Sequence, residues 1–233
     1  DSTTGVGQIY VTSNSSYDVK VYDLNGSLDR TITIASFRNN PVDLVLDEEG
    51  TIYIAEYAAV TCLENDGTFK WRTGKNASET NSGIGGSGDG EFNYANGITI
   101  GQDGNLYVAD YHNHLVQVLD KNGSFIRKFG ENGSAPGQLS NPHDIASLPD
   151  GRMVVGDSNY LHYFQPDGTF LKRENWGNWD ADDETKLFHS IGVDVFIQEI
   201  GLNPTKYDNF NVAVQHAISL AQSFMETITL STV

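Results

Sequence analysis

The sequence predicts an all-β fold, a β-propeller of about four four-stranded blades, and three observations carry that expectation. A glycine followed by an alternating strand recurs four times, roughly 45 to 55 residues apart: Gly7-Gln8-Ile9-Tyr10-Val11, Gly50-Thr51-Ile52-Tyr53-Ile54, Gly104-Asn105-Leu106-Tyr107-Val108 and Gly151-Arg152-Met153-Val154-Val155. Each copy is followed by a second strand and a turn at Asn25-Gly26, Asp66-Gly67, Asn122-Gly123 or Asp167-Gly168. A further apolar strand precedes the glycine in three units, at residues 42–46, 97–100 and 144–148.

Asn-Gly and Asp-Gly between alternating strands signal tight hairpins, here expected to be type I′ turns. Each complete unit therefore reads as a four-stranded antiparallel sheet. One such sheet cannot bury both of its apolar faces alone, so the units are expected to stack radially as blades. The fourth strands carry Arg30, Lys70, Arg72, Arg127, Lys128, Lys172 and Arg173, which read as charges that keep an outer edge from pairing with other molecules.

The first unit starts on its second strand. Residues 187–195 align without gaps on residues 92–100, so they are expected to supply the missing inner strand and close the ring. This places a propeller at 1–198 and a C-terminal extension at 199–233. Within the extension, Phe210, Ala213, Val214, Ala217, Ala221 and Phe224 fall on one helical face after an Asp208 cap. Thr227, Ile228, Thr229, Leu230, Ser231, Thr232 and Val233 then read as an edge strand, a candidate for assembly with copies of the chain.

The formal charge of −17 comes from 31 acidic residues against 14 basic ones and argues against nucleic acid as a partner. No apolar run reaches the roughly 20 residues that a membrane-spanning helix needs. Cys62 is the only cysteine, which excludes an internal disulfide framework, and it sits in an apolar run as expected of core. The chain opens at Asp1, which fits a processed protein as well as a trimmed one. Asn14, Asn25, Asn76, Asn122 and Asn132 are candidate N-linked glycosylation sites, although Asn25 and Asn122 also lie where turn chemistry demands Asn-Gly. Acidity, scarce lysine and these sequons point to an extracellular protein.

Residues 88–129 carry a family resemblance: Gly88-Asp89-Gly90-Glu91-Phe92, Gly97-Ile98, Asp103-Gly104-Asn105-Leu106-Tyr107-Val108-Ala109-Asp110, and Asn113-His114-Leu115-Val116-Gln117-Val118. This resembles an NHL repeat and includes the Asn-His-Leu tripeptide, and residues 136–145 are similar. Members usually have five or six blades and include both binding modules and enzymes, so the resemblance leaves the function open.

Several candidate sites follow from the residues. Resemblance to the peptidyl-hydroxyglycine lyase implies His143 as a zinc ligand, but the equivalent positions hold Val42 and either Asn96 or Gly97, so a three-histidine set is incomplete. His112 and His114 stand two apart, as metal ligands on an extended segment would. His162, His189 and His216 have no recognisable partners. Lactonase-like hydrolases bind a divalent metal at the axis through carboxylates, for which Asp43 and Asp144, at matching inner-strand positions, and Asp194, two residues further along its strand on the same face, are the candidates, and each also suits capping of backbone N–H groups. Residues 180–184 lack the ligand spacing of a calcium loop, and the glycine-rich residues 83–90 lack the lysine of a phosphate cradle and read as a flexible loop. The leading expectation is a non-enzymatic extracellular interaction or assembly module without a cofactor, binding protein partners that include itself. The alternative is a lyase or hydrolase using a divalent metal, Zn or Ca, at the propeller axis.

Overall fold

Alternating Val, Ile, Leu and Tyr give every repeat strands with two apolar faces, which a single sheet leaves in water. In the computed structural model, which describes residues 8–13, 18–23, 26–33, 40–75 and 85–175, the strands form four antiparallel sheets. The first holds β1 (Gln8–Ser13), β2 (Asp18–Asp23) and β3 (Leu28–Thr33). The second holds β4 (Pro41–Leu46), β5 (Ile52–Glu56), β6 (Ala59–Leu63) and β7 (Phe69–Gly74). The third holds β8 (Ala95–Ile100), β9 (Leu106–Asp110), β10 (Leu115–Leu119) and β11 (Phe125–Phe129). The fourth holds β12 (Asp144–Ser147), β13 (Met153–Gly156), β14 (Tyr160–Phe164) and β15 (Phe170–Asn175).

The predicted order of motifs is thus the order of strands in each blade, and the first sheet has three strands among the described residues, as the sequence implied. β1 packs on β4, β4 on β8 and β8 on β12, so the inner edges run around an axis. Among the described residues no packing of that extent joins the first sheet to the fourth. The predicted closing strand at 187–195, the helix and the strand of the extension, and the boundary at 198 lie outside the described residues.

Three apolar clusters hold the blades together. Val19, Val21 and Ile32 meet Ile52, Ile54 and Leu63 between the first and second sheets. Tyr53, Val60 and Cys62 meet Phe92, Ile98, Leu106 and Leu119 between the second and third, and Tyr107, Val116 and Phe129 meet Ile145, Met153 and Phe164 between the third and fourth. Because sheets cover both of its faces, β9 is buried at every residue. In β1, by contrast, Ile9 and Val11 are only half-buried, where their counterparts Ile52, Ile54, Leu106 and Val108 are wholly enclosed. Cys62 is core as expected, and burial pushes its thiol up to about 12.

Two expectations are corrected. The hairpins are not type I′ turns, because Asp66, Asn122 and Asp167 keep negative φ and only the glycines after them, at φ +90°, +82° and +91°, are left-handed. Gly67 N–H donates to Glu64 O (2.9 Å) and Glu64 N–H to Thr68 O (2.8 Å), the three-residue loop in which a type I turn is followed by a left-handed glycine. The same pair of bonds recurs around Gly26, Gly50, Gly104, Gly123, Gly151 and Gly168. The second correction concerns the outer cations, which are not simply edge charges. Arg30 Nη2 donates to Asn65 O (3.1 Å), Trp71 Nε1 to Lys121 O (3.0 Å), and Arg127 Nη2 to Pro166 O. These three residues hold matching places on β3, β7 and β11, and each fastens its blade to a turn of the next. Arg72 is buried against Glu56 on its own sheet.

Candidate functional site

In an antiparallel blade, the loop leading into the first strand and the loop joining the second to the third emerge at the same end. Loops from successive blades therefore share one face around the axis. A buried carboxylate sets their positions in each of the three four-stranded sheets: Glu56, Asp110 and Asp157, at the ends of the second strands. Each pairs with the third strand, through Thr61, Gln117 and His162 respectively. Asp110 also accepts the Asn93 N–H (2.9 Å) and Asn113 Nδ2 (2.8 Å), and Asp157 accepts the N–H groups of Ser140, Asn159 and Tyr160 at 2.7–2.8 Å. An ionised carboxylate is an acceptor with two oxygens to share, so it suits a loop whose backbone donors have no strand to meet. Sequence reasoning missed Glu56 and Asp157 as a set. The signal was present, since each follows the recurrent second-strand Tyr53, Tyr107 or Val154 by the same three residues.

Asp110 and Asp157 are shifted in opposite directions. Burial raises Asp110, only partly offset by the donors Asn113, Asn93 and Gln117. Burial also opposes ionisation of Asp157, but His162 and the three backbone donors outweigh it and hold the acid below its ordinary range. A depressed carboxylate adds stability that is present above the unfolded-state value, about 4, and is lost as pH falls through the folded value. A raised one adds stability that is lost as pH rises from there. Thermal unfolding followed by circular dichroism between pH 3 and 7 should therefore show Asp157→Asn with a shallower acid-side loss than wild type, and Asp110→Asn with a steeper one. Parallel profiles for all three proteins would contradict the assignment.

The carboxylate-anchored loops present a run of aromatic rings. Tyr57 meets Tyr94 at 5.3 Å between centroids, Tyr94 meets Tyr111 at 5.6 Å, and Tyr111 meets His112 at 4.8 Å and His143 at 4.9 Å, all nearly edge-to-face. The rings come from three blades, and the backbone locks them in register. Tyr94 N–H donates to Tyr57 O (2.6 Å), and Tyr111 N–H donates to Tyr94 O (2.9 Å). Tyr94 holds a left-handed φ of +70°, a costly conformation for a bulky residue and one that clusters at functional sites. Asn141, at φ +57°, repeats the feature one blade on.

The predicted site residues take different places. His143 is half-buried against Tyr111, its N–H donates to Gly156 O (2.8 Å), and burial lowers its imidazole. His112 and His114 do not share a site: the first lies on Tyr94 and Tyr111, whereas Nδ1 of the second accepts the Asn141 N–H (3.1 Å). His162 is enclosed beside Asp157. Asp43 accepts the N–H groups of Leu44 (2.8 Å) and Ile98 (2.9 Å), and Asp144 that of Ile145 (2.8 Å), which is the backbone-capping role. The two flank Gly97, where a Cβ would come 2.7 Å from the Asp144 Cα, so only glycine lets β8 and β12 approach this closely. Among the described residues no three His, Cys, Asp or Glu side chains are grouped to hold a metal. Residues 85–90 are a folded turn rather than a flexible loop, with Gly86 N–H on Phe92 O (2.8 Å) and Asn113 Nδ2 on Gly86 O (2.7 Å). Asn122 and Asn132 are exposed. Asn14, Asn25, Asn76, Asp194, His189, His216 and residues 180–184 and 227–233 lie outside the described residues.

Residues 92–119, running from the loop before β8 to the end of β10, match the family model described as NHL repeat. The chain carries an NHL repeat. Similar proteins include Protein brain tumor of Drosophila melanogaster, 32% identical over 78 residues that make up 33% of this chain and 8% of that protein. NHL repeat-containing protein 3 of Homo sapiens is 27% identical over 127 residues, 50% of this chain and 32% of the relative. The chain thus spans about a third or less of these relatives. Among solved structures it is similar to virginiamycin B lyase from Staphylococcus aureus, with a TM-score of 0.58 and 17% identity over 76% of this chain and 55% of that one. That likeness is one of fold, the β-propeller.

Proposed function

We propose that the chain is a non-enzymatic protein-interaction module that works outside the cell and presents its axial loop face to partners. The observation that carries this reading is the aromatic run from Tyr57 through Tyr94 and Tyr111 to His143, contributed by three blades and fixed by backbone hydrogen bonds. Rigid tyrosines offer large contact area at low entropic cost and are enriched where partners bind. The extracellular part rests on the acidic composition and on the exposed sequons at Asn122 and Asn132, and copies of the chain itself are among the proposed partners.

The full chain, secreted from eukaryotic cells, tests this reading. Its mass should fall on enzymatic deglycosylation, and light scattering should give more than the monomer mass. A displayed peptide library panned on it should yield binders that lose affinity for a Tyr111→Ala variant. An unglycosylated monomer whose selected peptides bind both forms alike would overturn the reading.

A further inference from the structure

Among the described residues, two groups of tyrosines differ in what surrounds them. Tyr10, Tyr53 and Tyr107 stand at matching places on β1, β5 and β9, and their hydroxyls donate to Gln8 Oε1 (3.2 Å), Asp47 Oδ2 (3.1 Å) and Asp103 Oδ2 (3.0 Å). Tyr10 and Tyr107 also lie under Arg30 and Arg127, with guanidinium carbons 5.8 and 5.7 Å from the ring centroids, and Tyr160 and Tyr163 lie under Arg173 and Lys172 at 4.1 and 4.3 Å. The chain thus covers these four rings with its own cations. Tyr57, Tyr94 and Tyr111 are different. Among the described residues no Lys or Arg lies over them, and their hydroxyls have no hydrogen-bond partner, although all three rings are half-buried and set edge-to-face at 79° and 72°.

We infer that these three rings bind the guanidinium of an arginine in an extended segment of a partner protein. The inference rests on the proposed interaction face and names the chemistry it recognises. Rings set nearly at right angles offer a cation both a face to stack on and a flanking wall, and the attraction to a ring quadrupole is greatest where the site is sheltered from water. The phenol oxygens can accept the N–H groups that a planar guanidinium keeps in a fixed fork. The neighbouring His143 is held toward its neutral form by burial, and the formal charge of −17 draws cationic segments to the surface.

The test titrates two short synthetic peptides, identical except that one carries arginine and the other its neutral isostere citrulline, into the full chain, following backbone amide resonances by NMR. The arginine peptide should shift Tyr57, Tyr94 and Tyr111, with the citrulline peptide binding roughly tenfold more weakly. Added salt should weaken the first more than the second. Tyr111→Phe should keep most of the discrimination and Tyr111→Leu should lose it. Because the peptide comparison uses wild-type protein, it stands even where a variant fails to fold. Equal binding of both peptides, or shifts elsewhere, overturns the inference. Library binders that depend on Tyr111 yet lack arginine would overturn it while leaving the interaction module intact.

Discussion

Replacing Phe92 by alanine should lower the unfolding free energy by about 3–5 kcal/mol, the cost of emptying an aromatic site in a packed core. Phe92 lies ahead of β8, fully buried, and fills the space between the second and third blades with Tyr53, Val60, Leu106 and Leu119. Its carbonyl also receives the Gly86 N–H, so the same residue ties down the glycine-rich turn. Urea unfolding monitored by circular dichroism would measure the effect, and Phe92→Leu should recover much of it by keeping volume and apolarity. A loss below about 1 kcal/mol in the alanine variant would mean that the interface collapses around the gap more readily than close packing allows.

The buried ion pair of Arg72 and Glu56 should give an effect of similar size by a different route. Their side chains are 1% and 0% exposed, Arg72 Nη2 lies 3.0 Å from Glu56 Oε2, and Thr61 donates to the same carboxylate. Arg72→Met leaves an ionised acid in a low-dielectric interior, and the expected loss is about 3–5 kcal/mol by the same unfolding measurement. The double variant Glu56→Gln/Arg72→Met removes both charges and should be distinctly more stable than Arg72→Met alone. If the double variant is no better, the loss comes from packing of the arginine stem and not from the stranded charge. The exposed pair of Lys172 and Glu174 provides the contrast, since water already screens it and its removal should leave the unfolding curve nearly unchanged.

The sequence by itself determined the blades. Glycine, strand, second strand and turn recur in fixed order, and alternation of apolar residues obliges each sheet to find cover on both faces, so strand identity and strand order could be read without coordinates. The turn signal was read correctly as hairpins but assigned the wrong turn type. Asn-Gly and Asp-Gly serve both a type I′ pair and a type I turn closed by one left-handed glycine, and only the bond from Gly67 to Glu64 separates the two.

Tertiary structure alone decided the roles of the polar residues. Arg30, Trp71 and Arg127 share a position yet not a chemical type, so no pattern announces that each fastens one blade to a turn of the next. The candidate face was only partly legible, because Tyr57 and Tyr111 share one place in the repeat, directly after Glu56 and Asp110, whereas Tyr94 and His143 occupy two others. A repeat fixes what each blade contains through local propensity and alternation. What adjoining blades bring together depends on contacts between residues far apart in the chain, which local sequence does not encode.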